Sequence, residues 1–528
     1  MMAVNRTLSL YVIAFLWACL LCGSAAEESR PNIVFILTDD LGYGDVHCLN
    51  PDRGKIATPC LDRLASQGMT LTNIHSTSAV CTPSRYSFLT GRYNWRSREQ
   101  SGVLNGYSPP LIAADRLTVA GLLKQHGYST HCLGKWHLGM DLPKDSHELK
   151  VSNGPTTRGF DYFFGISASL DMPPYVFIEN DHLTEAVTVI QRKWSREGAA
   201  APSFEAMDVL PTLTRKACEI ISKAKSPYFL FLAFPSPHTP LVPTKDWQGR
   251  SGLGDYGDYV METDWAIGQV LDALDKSGAV NNTLLIATSD NGVAPYVGVG
   301  PEQLRQLESR GFSKKEAEKG NQQRYKELEA MGHFSSAELR GHKSDIWDGG
   351  HRVPAFVRWP GKIQPGSTNG QLSSLVDFMA TCADILQVKL PADAGEDSVS
   401  MLPVWLGQST ASAHEAVVFH SINGSFAIQQ GDWKLELCSG SGGWGLPKPR
   451  SAEAKALPPV QLYNMSADLG ERTNEYANHP ELVARLTKLL EKYVADGRST
   501  PGLPQKNDVP INLWKDTKPA EDNSEKND

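Results

Sequence analysis

The sequence predicts an α/β fold: a large, mostly parallel sheet sandwiched by helices, then a smaller C-terminal domain of antiparallel four-stranded sheet plus helix. Three observations predict it. Apolar runs rich in β-branched and aromatic residues at 32–38, 228–234 and 283–288 read as strands covered on both faces. Helical patterns at 58–67, 118–126 and 259–274 alternate with such runs, and strand–helix–strand repetition implies a parallel layer. Past about residue 390 short strands and Gly-containing turns take over, which suggests an antiparallel sheet.

The elements follow in order. Arg6, the apolar run 8–22 and the small residues Gly23-Ser24-Ala25-Ala26 make 1–26 a secretory signal peptide. The run is short against the ~20 residues of a membrane span. Leu16-Trp17-Ala18-Cys19 faintly resembles a lipoprotein cleavage box, so surface anchoring stays open, and no second segment is long enough to span a bilayer. The larger domain is expected over 27–390. Within it the helix at 58–67 stops at Gly68 and the helix at 118–126 at Gly127. The stretch 300–341, rich in Glu, Lys and Gln, reads first as a solvated surface insertion and second as a lid over the site. A small α+β domain is expected over 391–500, with strands at 416–420, 425–428 and 433–437. Its helix at 479–494 carries Leu482, Leu486, Leu489, Leu490 and Tyr493 on one stripe. Residues 501–528 read as an extended tail, disordered where charge dominates from Trp514 onward.

A net charge of −8 and no basic stripe argue against nucleic acid as a partner. An anionic substrate must then be drawn by a local cationic pocket. Seven of the nine cysteines lie beyond the signal, without any CxxC, which speaks against a zinc knuckle. An odd number in an exported chain suggests one cysteine set aside for other chemistry; the bland reading is disulfides plus buried thiols, with the pairing open.

Two strand candidates end in acidic residues: 32–38 runs into Asp39-Asp40, and 283–288 into Ser289-Asp290-Asn291-Gly292. In open α/β sheets the ligand crevice lies beyond the carboxyl ends of the strands. Asp39, Asp40, Asp290 and Asn291 are hard oxygen donors, which suit calcium or magnesium better than zinc.

Cys81-Thr82-Pro83-Ser84-Arg85 gives this pair of strand ends a context. With Asp39-Asp40-Leu41-Gly42-Tyr43-Gly44 before it and Gly134-Lys135-Trp136-His137-Leu138-Gly139 after it, the sequence resembles the sulfatase family. Ser236-Pro237-His238, Asp290-Asn291-Gly292 and Gly341-His342-Lys343 continue the family's order, so the resemblance covers roughly 30–500. It implies that a maturation enzyme oxidises Cys81 to formylglycine, whose hydrate attacks sulfur with one hydroxyl and expels sulfate through the other. A plain cysteine lacks that second hydroxyl.

The resemblance also implies roles. Asp39, Asp40, Asp290 and Asn291, with residue 81, would hold one calcium ion. Arg85 would stabilise the hydrated aldehyde and Lys135 contact sulfate or residue 81. His137 would act as the base, and His238 and Lys343 would bind sulfate and protonate the leaving oxygen. Ser169 is a looser match to a hydroxyl ligand of sulfate. His342 and Ser344 depart from the family's smaller residues beside Lys343. His47, Asp345, Asp348 and His351 receive structural or pocket-lining roles, and 347–354 reads as a loop and strand supporting Lys343.

The expected partner is a sulfated small molecule or glycan, met outside the cytoplasm: periplasmic, extracellular, or lysosomal in a eukaryotic host. Export and the insertion favour carbohydrate sulfates over aryl sulfates. Sequons at Asn282, Asn423 and Asn464 matter only in a host that glycosylates exported chains. The rivals are a phosphoester hydrolase of the same superfamily, which would usually carry Ser or Thr for Cys81, and a catalytically silent binder of sulfated glycans.

Overall fold

The run 32–38 forms the strand β1 (Asn32–Asp39), buried along its whole length in the computed structural model. That model describes residues 30–143, 145, 147–192, 196–295 and 325–515. The expected signal segment 1–26, most of the insertion and the tail past 515 lie outside the described residues. No helix among the described residues is long and apolar enough to cross a membrane.

β1 lies inside a ten-stranded sheet. Its other strands are β2 (Met69–Leu71), β3 (Ser129–Lys135), β4 (Tyr162–Ile166), β5 (Ile178–Glu179), β6 (His182–Leu183), β7 (Tyr228–Pro237), β8 (Thr283–Ser289), β9 (Ala355–Arg358) and β10 (Ser367–Asn369). They lie in the order β10-β2-β9-β8-β1-β7-β3-β4-β5-β6. The centre, from β8 to β4, is parallel. β9 runs antiparallel to β8, and β5 to β4, at the two margins. The burial of both faces explains why β1, β7 and β8 are continuous apolar runs rather than alternating ones.

Helices cover both faces. On one lie α1 (Pro59–Gln67) and, further along the chain, a helical pair at 209–223 and 254–277; on the other lie α2 (Cys81–Thr90) and α3 (Val119–Gln125). The pair is α4 (Val209–Lys223) and α5 (Gly254–Ser277), the latter longer at both ends than its pattern of 259–274 suggests. A single turn, α6 (Asp348–His351), stands where a loop leading into a strand was expected; β9 follows it. α7 (Phe378–Leu386) completes the α2 face. Thr118 caps α3 by accepting from the Gly121 N–H at 3.0 Å. α1 has no such cap of its own; Asp264 of α5 accepts from the Cys60 and Leu61 N–H groups and ties the helices together.

The C-terminal sheet contains β11 (Val417–His420), β12 (Phe426–Gln430), β13 (Trp433–Glu436) and β14 (Gln461–Asn464), all antiparallel. Its side chains alternate as the pleat requires. Val418, Phe426, Ile428, Leu435 and Leu462 face α8 (Pro480–Ala495), whose Leu486, Leu490 and Tyr493 are buried against them. Val417, Phe419 and Ala427 pack instead on Ile346 and Trp347 of the larger domain. The segment after α8, expected as a loose tail, is held within the described residues: Asp508 pairs with Arg92 at 3.0 Å and its N–H donates to Arg96 O. All seven cysteines beyond the signal are free thiols, so their odd number carries no information.

Buried charge fills the seam between the domains. Lys434 Nζ lies 2.9 Å from Asp348, 3.2 Å from Glu436 and 2.6 Å from Glu471, and all four side chains are essentially inaccessible. His75 and His351 meet Nδ1 to Nδ1 at 2.9 Å beside this cluster. Burial lowers His75 from 6.5 to about 3 and His420 from 6.5 to about 4. Both are neutral when folded, whereas the unfolded chain takes up protons from pH 6.5 downward. Their contribution to stability is therefore complete above that pH and is lost as pH falls toward 4. Thermal unfolding is expected to show a midpoint falling steeply below pH 6, less steeply in His420→Gln; a flat midpoint from pH 7 to 4 would contradict this.

Candidate active site

β1 and β8 are hydrogen-bonded neighbours in register, with Thr38 opposite Ser289. The acidic residues that follow therefore emerge side by side. Asn291 Nδ2 donates to Asp40 Oδ1 at 2.7 Å, and the Asp40 N–H approaches Asp290 Oδ1 at 3.5 Å. Asp40 is left-handed, at φ 66°, a conformation that a non-glycine residue holds only where its surroundings fix it. His137 (φ 56°) and Ser344 (φ 85°) share this strain at the same end of the sheet.

α2 delivers Cys81 at its first turn, and all ten of its residues are buried. Phe88 anchors the helix, with ring centroids 4.2 Å from Phe35 of β1, 4.9 Å from Phe231 of β7 and 5.0 Å from Phe378 of α7. That packing sets Cys81 over the strand ends: its Sγ and one oxygen each of Asp39 and Asp290 lie within 4.8 Å of one another. One helical turn on, Arg85 donates to Asp290 from Nε at 2.9 Å and from Nη1 to Lys135 O at 2.7 Å. Lys135, closing β3, donates to Asp39 Oδ2 at 2.6 Å. Lys343 lies 2.6 Å from Asp40 Oδ1, and His238 Nε2 lies 3.7 Å from Asp40 Oδ2. Three carboxylates thus meet three permanent cations, all buried.

The electrostatics follow from that balance. Burial opposes the Asp39 charge, yet Lys135, His238, Arg85 and Lys343 together hold its carboxyl well below the usual range. Burial and the Asp39 charge push Asp290 up to about 7 against Arg85 and Lys135. Burial raises the Cys81 thiol, with Lys135 and Lys343 opposing. His137 is held well below its ordinary value by burial and then by Lys135 and Arg85. Its Nε2 lies 2.7 Å from Leu104 O, which can only accept, so the proton sits on Nε2 and Nδ1 is a bare, buried acceptor with no partner.

Asp39 Oδ1 and Asn291 Oδ1 are likewise buried without a donor. Carboxylate and amide oxygens left open beside one another fit a hard cation such as calcium. Among the described residues, a buried trio with ligand-like spacing away from this site, His75, Asp348 and His351, already holds the Lys434 ammonium, 2.9 Å from Asp348 and 3.2 Å from His351 Nε2.

The surroundings hold what the motifs place. Ser167 O accepts from the His137 N–H at 2.9 Å, and Ser169 Oγ, buried, has no hydrogen-bond partner. Residues 333–337, expected to be solvated, are instead built in beneath the β1 exit. Asp45 joins His333 Nε2 at 2.8 Å and the Tyr256 hydroxyl, and the Gly44 N–H donates to Ser335 O at 2.7 Å. Of the stretch 300–341 read as a lid, residues 300–324 lie outside the described residues. A loop of the small domain clasps the Lys343 segment: the Trp444 N–H donates to Ser344 Oγ and the Gly445 N–H to Asp345 Oδ1, at 2.9 and 2.8 Å. Gly443 is required there, since a Cβ would stand 2.3 Å from Ser344 O. Sequence reasoning missed this loop and also Asp171, whose Oδ1 lies 4.0 Å from His238 Nδ1.

A family model described as Sulfatase matches residues 31–388, the span that contains every residue of this cluster. The chain belongs to the sulfatase family. It hydrolyses sulfate esters, as a sulfuric ester hydrolase. Among its relatives, an N-acetylgalactosamine-6-O-sulfatase of Bacteroides thetaiotaomicron is 33% identical over 507 residues, covering 88% of this chain and 93% of the relative. Human steryl-sulfatase is 30% identical over 483 residues, covering 78% of this chain and 75% of that one. A solved sulfatase structure from work on glycosaminoglycan metabolism by Bacteroides thetaiotaomicron superposes with a TM-score of 0.74 at 32% identity, covering 88% of this chain and 99% of that chain. In this sulfatase the C-terminal sheet and helix belong to the same architecture, though they lie beyond the matched span.

Proposed function

We propose that this sulfatase removes sulfate from carbohydrate sulfates, using a formylglycine made from Cys81 and one calcium ion held by Asp39, Asp40, Asp290 and Asn291. The observation that carries the proposal is the convergence of Cys81 with two adjacent strand ends, where buried oxygens lack donors and three cations stand close. Calcium supplies positive charge against the sulfate oxygens, and the hydrated aldehyde supplies paired hydroxyls on one carbon. With that ion bound, the carboxylates and side-chain cations leave the pocket net positive, which a chain of charge −8 needs in order to attract an anion.

The protein's own groups divide the remaining work. Arg85 is tied to Asp290 and to Lys135 O, so it holds residue 81 in a fixed electrostatic frame. His137, neutral with a bare Nδ1, is suited to accept a proton from residue 81. Lys135 and Lys343 bind sulfate oxygens, and His238 protonates the departing sugar oxygen. Ser169 Oγ is available to donate to sulfate. The N-acetylgalactosamine-6-O-sulfatase relative makes a galactosamine 6-sulfate the first substrate to test. Export through the 1–26 signal, and a maturation enzyme that acts on Cys81, are part of the same reading.

Peptide mass spectrometry across residue 81, on protein made in its own host, tests the first half. The aldehyde is expected in place of the thiol, and an active protein carrying only thiol would sink the formylglycine assignment. Calcium is tested by chelation: sulfate release from N-acetylgalactosamine 6-sulfate is expected to fall about 100-fold or more and to return on adding calcium. Activity indifferent to the chelator would refute the ion's role.

A further inference from the structure

The segment leaving β4 carries three buried side-chain atoms without a hydrogen-bond partner: Ser167 Oγ, Ser169 Oγ and Asp171 Oδ1. A hydroxyl can turn toward other company, but a carboxylate oxygen is fixed as an acceptor. Asp171 is therefore the informative one. Its side chain is 9% exposed, and Arg196 Nη2 faces the other oxygen, Oδ2, at 3.4 Å. The Tyr175 hydroxyl stands between the two segments, 2.5 Å from Arg196 O and 3.1 Å from Asp171 O.

Oδ1 faces His238, 4.0 Å from Nδ1. That nitrogen stands 2.6 Å from Thr239 O, a group that only accepts, so its proton is already committed to the carbonyl. The imidazole that serves the leaving oxygen thus stands next to a buried carboxylate oxygen for which the described residues offer no donor. Such an oxygen is costly to bury unless something arrives to satisfy it.

We propose that Asp171 is a specificity-determining residue: its Oδ1 accepts a hydrogen bond from a sugar hydroxyl flanking the sulfate ester. The proposal rests on the carbohydrate-sulfatase reading and deepens it. A sugar presents hydroxyls on carbons near the esterified one; an aryl or steryl alcohol presents only carbon and hydrogen there. A site built to hydrogen-bond a hydroxyl rejects the analogue that lacks it, because the buried acceptor is then left unpaired. Arg196 holds the carboxylate's second oxygen and so sets the direction in which Oδ1 points.

The test is a kinetic cycle on the full, matured chain with N-acetylgalactosamine 6-sulfate, its 3-deoxy and 4-deoxy analogues, and 4-nitrophenyl sulfate. One deoxy analogue is expected to lose about 10- to 100-fold in kcat/KM with the wild type. Asp171→Ala is expected to lose a similar factor on the parent sugar, and to show no further loss on that analogue. Hydrolysis of 4-nitrophenyl sulfate by the variant should stay within about 3-fold of wild type. Asp171→Leu keeps the approximate shape without an acceptor and serves if the alanine variant does not fold; the deoxy comparison on the wild type needs no variant at all. Equal losses on the sugar and the aryl ester would overturn the proposal and make Asp171 a positioning group for His238. Undiminished activity on both deoxy analogues would overturn it too. A wild type that cleaves 4-nitrophenyl sulfate but no sugar sulfate would defeat the carbohydrate reading itself, a separate and distinguishable result.

Discussion

Cys81→Ala is expected to lower kcat/KM on any sulfate ester by about four orders of magnitude or more, while leaving the fold intact. The side chain is small and stands at the head of α2, whose position is set by Phe88 and not by the thiol. Loss of one buried sulfur costs about 1 kcal/mol, within what the surrounding core absorbs. The chemistry has no such tolerance. On the proposed reading, Arg85, Lys135, His137, His238 and Lys343 would still bind and orient the ester, but nothing at the centre of the cluster would be left to attack sulfur. Steady-state kinetics beside a thermal scan separates the two effects. A variant that keeps more than about 1% of activity would show that another group, or a water, performs the attack.

The second large effect is expected far from sulfate. Lys434→Met should lower stability by about 3–5 kcal/mol, because it removes the ammonium while leaving Asp348, Glu436 and Glu471 in the same dry space. Burial pushes the Glu471 carboxyl well above its ordinary range despite Lys434, and raises Glu436 as well. Burial opposes the Asp348 charge, yet Lys434 and Arg352 hold its carboxyl low. Without Lys434, protons or water must enter the seam. Lys434 Nζ also donates to Ile346 O at 3.1 Å, three residues beyond Lys343, so KM for the sulfate ester should rise together with the stability loss. Urea unfolding and steady-state kinetics on the same preparation check both; an unchanged unfolding midpoint would show that the cluster contributes no net stability.

The parts of the fold that were legible are those where a rule of packing leaves a mark on consecutive residues. β1, β7 and β8 are covered on both sides, so their runs are unbroken, and the acidic residues after two of them fall in the crevice that parallel sheets make. The short strands β11, β12 and β13 with their Gly-containing turns and the stripe on α8 were equally plain, whereas β14 was not located. Strands of two or three residues, such as β5 and β10, are too short to show a period. The Lys434 cluster joins groups more than eighty residues apart, and a buried lysine looks like any other in a sequence. Asp171 was missed for a related reason: its signal is an oxygen that lacks a partner, a property of three-dimensional surroundings alone. Residues 333–337 misled because polar composition suggested solvent, whereas the His333 imidazole is spent on Asp45, the Ser335 hydroxyl on that imidazole and the Ser336 hydroxyl on Gly341 O.

The 443–445 loop ties catalysis to the order in which the chain is made. Every side chain assigned to bind the ion or the sulfate comes from residues up to 343, yet the backbone that steadies the Lys343 segment is supplied about a hundred positions later. A growing chain that has finished its parallel sheet therefore holds the full set of reacting groups but lacks the clasp on one of them. A fragment ending before the small sheet is therefore expected to bind sulfate esters poorly even when its own core is folded.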